Sequence, residues 1–432
     1  MSSALSSAGR SVLSAAIALA AAGQARAGGF QTPELSVRAM GMANAGAVAL
    51  EGADVLAWNP AALARTERQA AAGAMFRQTQ LTLTDGGSTI TRPGQPTGPV
   101  GGAARLEDPA EDFRAPVLAF SAPVGERLAV GLAVTKPFHL RLEYPADGFV
   151  RYDLDRNRIE TTEVRGAVAL QATPWLDLGL AIDAQETRAA LDAASPNLAP
   201  ASPDARQQLT AKGWDIGWAV GGLARLENLT LGFSYRAAIS RELDGQLRMT
   251  GLSGPLAAAN FDAPAQVAFS TPWVVSLGGR WQASPSLAVH AQVQRNGWSR
   301  YDQIELGFAG QSAAIEQAYR DTTSLAAGLE WRAGPAWTVR AGLAHEPTPT
   351  PDLMREPGVP DADRTTWAVG ATFAATSSLD LDVALALADF ADAGLRRDLD
   401  FYAGSPAATA ASIRGDIDRQ ELSAGIAVRT RF

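Results

Sequence analysis

Apolar and polar positions alternate with a period of two over much of this chain. Leu379, Leu381, Val383, Leu385 and Leu387 are interleaved with Asp380, Asp382, Ala384, Ala386 and Ala388, so an extended strand puts one set on each face. The same reading holds for Leu176 to Asp183, for Trp337 to Ala344 and for Leu287 to Gln294. In each, one face is greasy and the other is mostly Ala, Gly, Asp and Gln, which suits a confined interior better than a solvated surface. Between the strands, short turns at Pro123 to Glu126, Thr173-Pro174, Leu226 to Asn228, Ala283 to Pro285, Ala333 to Pro335 and Ala375 to Ser377 alternate with longer connections. The longer ones fall near residues 84–113, 143–157, 190–208, 245–264, 308–319, 346–363 and 391–415. Strict alternation of short and long connections predicts a transmembrane antiparallel β-barrel of about 14 strands, with the short turns and both termini periplasmic.

The remaining segments fit that expectation. Arg10, the small apolar run Ser11 to Ala22 and Ala25-Arg26-Ala27 form the three parts of a signal peptide, so residues 1–27 are expected to be removed after Ala27. No run of about 20 apolar residues follows it, so no spanning helix is expected. Residues 28–68 precede the strand series and hold closely spaced small residues, among them Gly41, Ala43, Ala45, Gly46, Ala47 and Gly52. A lumen of 14 strands is too wide for its own side chains to fill. The small N-terminal segment is therefore expected to form a helical hatch inside the barrel, which occupies 69–432. Asn59-Pro60-Ala61 reads as a helix start, with Asn as cap and Pro at the first helical position. Trp175, Trp214, Trp273, Trp281, Trp298, Tyr301, Trp331 and Trp337 lie near strand ends and are expected in interfacial girdles.

Composition excludes some functions. The net charge of −8 becomes −10 once Arg10 and Arg26 leave with the signal peptide, which argues against nucleic acid as a partner. There is no cysteine, hence no disulfide framework or thiolate chemistry. His139, His290 and His345 stand far apart, and neither a G-x-S-x-G elbow nor an H-E-x-x-H motif occurs, so no enzyme, metal or cofactor is expected. A barrel-embedded lipid hydrolase using His290 has no supporting motif, and a general diffusion porin is disfavoured because a plug opposes free flow.

The order of several short motifs resembles the FadL family of outer-membrane long-chain fatty acid transporters. These are Gly29-Phe30-Gln31, Asn59-Pro60-Ala61, Pro137-Phe138 to Glu143-Tyr144, Arg151-Tyr152, Gly232 to Arg236, Gly297 to Asp302 and Pro360 to Arg364. The resemblance covers nearly all of the chain after residue 27. It implies a 14-stranded barrel with an N-terminal hatch, passive uptake, gating near Asn59, Pro60 and Ala61, and a kink in the third strand that opens the wall sideways. Pro137 is the strand-kink candidate, since proline lacks a ladder donor.

A fatty acid needs an apolar slot and a cation for its carboxylate. Met249, Leu252, Leu256 and Phe261 are the expected hydrophobic capture loop. Arg320, which precedes the strand Thr323, Leu325, Ala327, Leu329 and Trp331 and is turned inward by parity, and Arg188, at a position resembling a family head-group contact, are the carboxylate-binding candidates. Strand parity alone turns Arg188 outward, so a bulge would have to re-aim it. Expected partners are a long-chain fatty acid or another hydrophobic small molecule, outer-membrane lipid, and the barrel-insertion machinery through the terminal Phe432, with the chain acting as a monomer. The alternative cargo is an aromatic or other neutral hydrocarbon, which needs no cation.

Overall fold

The computed structural model describes residues 31–33 and 35–432. The signal-peptide reading and the Gly29-Phe30 end of the first motif lie outside the described residues. Fourteen strands form the wall: β1 (Gln69–Asp85), β2 (Phe113–Val124), β3 (Leu128–Glu143), β4 (Arg156–Gln171), β5 (Leu176–Ser195), β6 (Ala205–Leu226) and β7 (Leu229–Arg236), then β8 (Trp273–Ser284), β9 (Leu287–Gly297), β10 (Thr322–Arg332), β11 (Trp337–Glu346), β12 (Arg364–Ala374), β13 (Leu379–Phe390) and β14 (Thr409–Arg431). Each pairs antiparallel with the next, and β1 closes on β14 from Gln69↔Arg431 to Asp85↔Gly415. Closure leaves no free edge, the condition for a sheet to live in lipid.

The period of two sets the two faces. Leu381, Val383, Leu385 and Leu387 are exposed on the outside, while Asp380, Asp382, Ala384, Ala386 and Ala388 are buried on the inside. Outward Trp175, Trp281, Trp331 and Trp337 lie beside the short turns, as an interfacial girdle requires. Trp298 and Tyr301 do not belong to it. Both are buried at about 2% and 1% exposure, packed edge to face with each other and against Tyr319 beneath the loops. Aromatic character alone cannot separate a girdle ring from a core ring.

The long connections are shorter than the sequence suggested. β5 and β6 run for 20 and 22 residues, about twice the length needed to cross a bilayer. Only residues 196–204 join them. Strand also replaces loop at Ser240–Thr250, Phe261–Ser270, Gln303–Phe308, Gln311–Glu316 and Ala393–Phe401, segments that extend the sheet beyond the membrane. The cause is an apolar cap: inward-facing Leu191, Leu209, Leu243, Leu247, Val267, Leu306 and Ile315 pack together over the lumen, and burying them holds the hairpins as sheet.

Before β1, residues 35–66 fold inside the ring as single turns: α1 (Val37–Met40) and 3-10 turns at Ala47–Ala49, Ala53–Val55 and Pro60–Leu63. These turns touch strands around the circumference, α1 against β12 to β14, Ala47–Ala49 against β7 and β8, and Pro60–Leu63 against β3 to β6. No turn is long enough to be stable alone. Arg38 holds the segment together by clasping Asp54 through two hydrogen bonds of 3.0 and 2.9 Å, and Ser36 adds a third at 3.2 Å.

Candidate functional site

Close approach between plug and wall is possible because the wall carries glycine where plug backbone touches it. A Cβ at Gly221 of β6 would collide with Asn59 Oδ1, one at Gly179 of β5 with Ala61 N, and one at Gly342 of β11 with Met42 O. Asn59 is fully buried and uses both ends of its amide. Its Oδ1 accepts from Ala61 N at 2.9 Å, the cap expected from the sequence, while Nδ2 donates to Val48 O at 2.7 Å and to Gly222 O at 3.2 Å. One side chain thus joins two plug turns to the wall.

Other ties come from wall side chains rather than a backbone ladder. Arg165 of β4 donates to Ala57 O at 2.7 Å and Leu56 O at 3.2 Å while its other nitrogens reach Asp183 at 2.7 and 2.9 Å. Gln292 accepts from Val48 N at 3.2 Å, and Gln171 donates to Ala64 O at 2.8 Å. Side-chain attachments of this kind can be exchanged for ligand or water without unpicking a strand.

Between the plug and β7 to β12 lies a cavity of about 120 Å³ with an open mouth. Ser234, Ser276, Gln292, Gln294, Asn296 and Ser324 line one wall, Trp58 and Leu35 the plug side, and the guanidinium groups of Arg165, Arg236 and Arg364 reach it. Of the two arginines that reach it from β4 and β7, Arg236 is the more exposed, its side chain 15% accessible against 2% for Arg165, and it is balanced by Glu163 and Asp183. Among the described residues, the Trp58 indole N–H and Asn44 Oδ1, buried at this cavity, find no hydrogen-bond partner.

A second, small apolar chamber of about 30 Å³ lies under the cap, lined by Ile159, Leu191, Leu209, Val267, Phe269 and Ile304 among others. Met249, Leu252 and Leu256 are not its lining. They are buried at 2–6% exposure in the cap core, and Phe261 stacks on Phe308 at 5.8 Å. Asn260, donating to Leu252 O at 2.9 Å and Ala257 O at 2.8 Å, folds the loop back on itself and turns its apolar side inward.

Neither carboxylate candidate reaches the lumen cavity. Arg188 follows strand parity: no bulge re-aims it, it pairs in register with Glu160 and Lys212, and its 60% exposed side chain points outward beside Glu186 at 3.1 Å. Arg320 precedes β10 in a loop conformation, is exposed, and donates its backbone N–H to Pro349 O at 3.1 Å, so the inward parity of β10 does not extend to it. Arg165 and Arg236 were missed, although Arg165 has a signal in the sequence: it stands on the inward parity of a strand whose opposite face is Val164 and Val168.

At Pro137 the wall is irregular. The β3–β4 ladder slips between Thr135 and Phe138, and the β2–β3 ladder ends at Leu118↔Val134. Above that point the seam is spanned by other contacts. Thr32 N donates to Pro137 O at 2.8 Å, Gln31 bridges Phe138, and Lys136 Nζ donates to Arg114 O at 3.4 Å. Inside the seam, Phe113 packs 4.6 Å from His139, whose imidazole is buried, with the Arg77 guanidinium 4.9 Å over the Phe113 ring. His290, inward on β9 as parity requires, is buried beside Gly46 of the plug.

A closed wall with lipid-type and lumen-type faces, filled by an N-terminal plug and irregular at its third strand, defines a plugged outer-membrane barrel. The sequence profile of the outer membrane protein transport protein family (OMPP1/FadL/TodX) matches residues 18–432, and the chain belongs to this family. It is 24% identical over 412 residues to the long-chain fatty acid transport protein of Escherichia coli O6:H1, covering 87% of this chain and 89% of that one. It is 25% identical over 423 residues to outer membrane protein P1 of Haemophilus influenzae, with the same coverage. Among solved structures, a Pseudomonas aeruginosa FadL homologue superimposes with a TM-score of 0.81 at 21% identity, over 94% of this chain and 100% of that one. The Ralstonia pickettii toluene transporter TbuX gives 0.66 at 20% identity, over 93% and 99%. These structural likenesses show the fold. The chain is an outer-membrane transporter of hydrophobic compounds in a Gram-negative bacterium, and not an enzyme.

Proposed function

We propose that the cargo is a long-chain fatty acid, taken up without energy coupling. The acid enters the apolar chamber under the cap, passes to the lumen cavity, and leaves sideways through the β2–β3 seam when the plug shifts around Asn59, Pro60 and Ala61. The observation that carries this reading is the chemistry of the lumen cavity. Its hydroxyls, amides and the Arg236 guanidinium suit an anionic head, while Leu35, Val274 and Trp298 at its edge suit a tail. The names of relatives such as the E. coli protein support it. The head-group role passes from Arg188 and Arg320 to Arg236, because those two lie outside the cavity.

A second reading, uptake of an aromatic or other neutral hydrocarbon, is favoured by the apolar chamber, whose lining offers no cation. Mass spectrometry of lipophilic ligands retained by the gently purified protein, followed by competition between a labelled fatty acid and a monoaromatic hydrocarbon, separates the two. Retained or preferred fatty acid is expected. Arg236→Gln should weaken fatty acid binding about tenfold, the worth of one charge-assisted hydrogen-bonding group, and leave a hydrocarbon of equal length unaffected. Preference for the hydrocarbon, or indifference of both ligands to the substitution, would overturn the carboxylate reading.

A further inference from the structure

Charge on the outer face is segregated. On the arc from β2 to β6, Arg114, Lys136, Arg141, Arg158, Arg188 and Lys212 stand on the outside, loop-ward of exposed Leu118, Leu132, Val164, Ile182 and Ile216. The loop-side ends of β13 and β14 instead carry exposed Asp389, Asp416 and Asp418, and their cations, Arg414 and the Arg396 facing it, lie beside Asp398, which pairs with Arg414 at 2.6 Å. In a chain of net charge −8, this arc is thus richer in cations than the rim around β13 and β14.

The register sharpens this. Arg188 of β5 lies directly opposite Lys212 of β6, and Arg141 of β3 directly opposite Arg158 of β4. Like charges face to face weaken a sheet unless an anion sits between them. Glu111 meets Arg141 at 2.7 Å, Glu160 pairs with Arg158, and Glu186 meets Arg188 at 3.1 Å. Among the described residues Arg114 and Lys212 have no carboxylate within ion-pair distance. Trp214, 64% exposed on the same face of β6 two residues below Lys212, marks the head-group level of the membrane, where amphipathic rings settle.

We propose that this arc docks the phosphorylated glycolipid head group of the outer leaflet. The two phosphates of lipid A sit against the arginines and Lys212, and its acyl chains lie along Ile182 and Ile216. A guanidinium can hold a phosphate through two parallel hydrogen bonds, and an ammonium adds a point charge. The proposal is independent of the cargo.

The test is native mass spectrometry of the full-length barrel in neutral detergent, titrated with lipid A, with lipid A stripped of both phosphates, and with phosphatidylglycerol. The wild type should retain lipid A and bind the stripped form and phosphatidylglycerol more weakly. Arg188→Gln with Lys212→Gln should weaken lipid A about twenty-fivefold, roughly fivefold for each charge, and Arg295→Gln, outside the arc on β9, should change nothing. Should the double variant fail to assemble, molar salt should still release lipid A from the wild type. Equal binding of the stripped form would reduce the arc to an acyl-chain contact. Equal binding of phosphatidylglycerol, an unchanged double variant, or lipid A that resists salt would each overturn the proposal.

Discussion

Asn59 is the point at which the plug is most open to a single change. Replacing it with Ala removes the cap of the Pro60–Leu63 turn and deprives the Val48 and Gly222 carbonyls of their Nδ2 donor, with bonds of 2.9, 2.7 and 3.2 Å lost together. A lost N-cap costs about 1 kcal/mol. Leaving a buried carbonyl unsatisfied adds about 1–3 kcal/mol. The closed plug should therefore weaken by about 2–4 kcal/mol, which raises its open population roughly thirtyfold to several hundredfold. Barrel assembly should be unaffected, because no wall ladder passes through Asn59. Hydrogen exchange over residues 37–66 and ion conductance in planar bilayers read the open state, and the temperature of barrel unfolding reads the wall. Gly221→Ala makes the same displacement from the other side, since its Cβ would occupy the position of Asn59 Oδ1. Asn59→Ser, which keeps a cap oxygen and loses the donors, should fall between Ala and wild type. If Asn59→Ala and Gly221→Ala exchange and conduct as the wild type does, the amide is a helix cap and the gating reading fails.

Two further outcomes are expected. Pro137→Ala restores a backbone donor where the β3–β4 ladder slips, and should lower uptake severalfold in a labelled fatty acid assay with the barrel intact; unchanged uptake would sink the sideways exit. Asp361, in the loop over the cavity mouth, has its carboxyl raised above the ordinary range by burial, opposed by the hydrogen bond from Thr348 and by Arg419, Arg364 and Arg355. Folding therefore favours its protonated form. Its contribution to loop stability is complete below the ordinary carboxylate pKa of about 4 and is lost as pH rises through the elevated value. After correction for intrinsic rates, exchange over residues 348–363 should quicken with rising pH in the wild type and stay flat in Asp361→Asn; equal slopes would contradict the burial argument.

The period of two along the strands and the rhythm of short and long connections were enough to determine the closed sheet and its two faces. Those properties follow from local alternation and from the demand of lipid that every backbone group be paired. Asn59-Pro60 as a helix start was also legible, because capping is a matter of neighbouring residues. The locations of Arg188, Arg320 and the Met249–Phe261 loop were decided by tertiary structure. Parity holds only while a strand continues, so it placed Arg188 on the outer face and said nothing reliable about Arg320, which lies before its strand begins. The 245–264 loop looked like an exposed groove because its apolar residues meet their partners in other hairpins, distant in sequence, that join the same cap. Gly179 and Gly221 likewise read as ordinary strand glycines until Asn59 and Ala61 are set against them: a close approach between segments over 100 residues apart leaves no periodic trace.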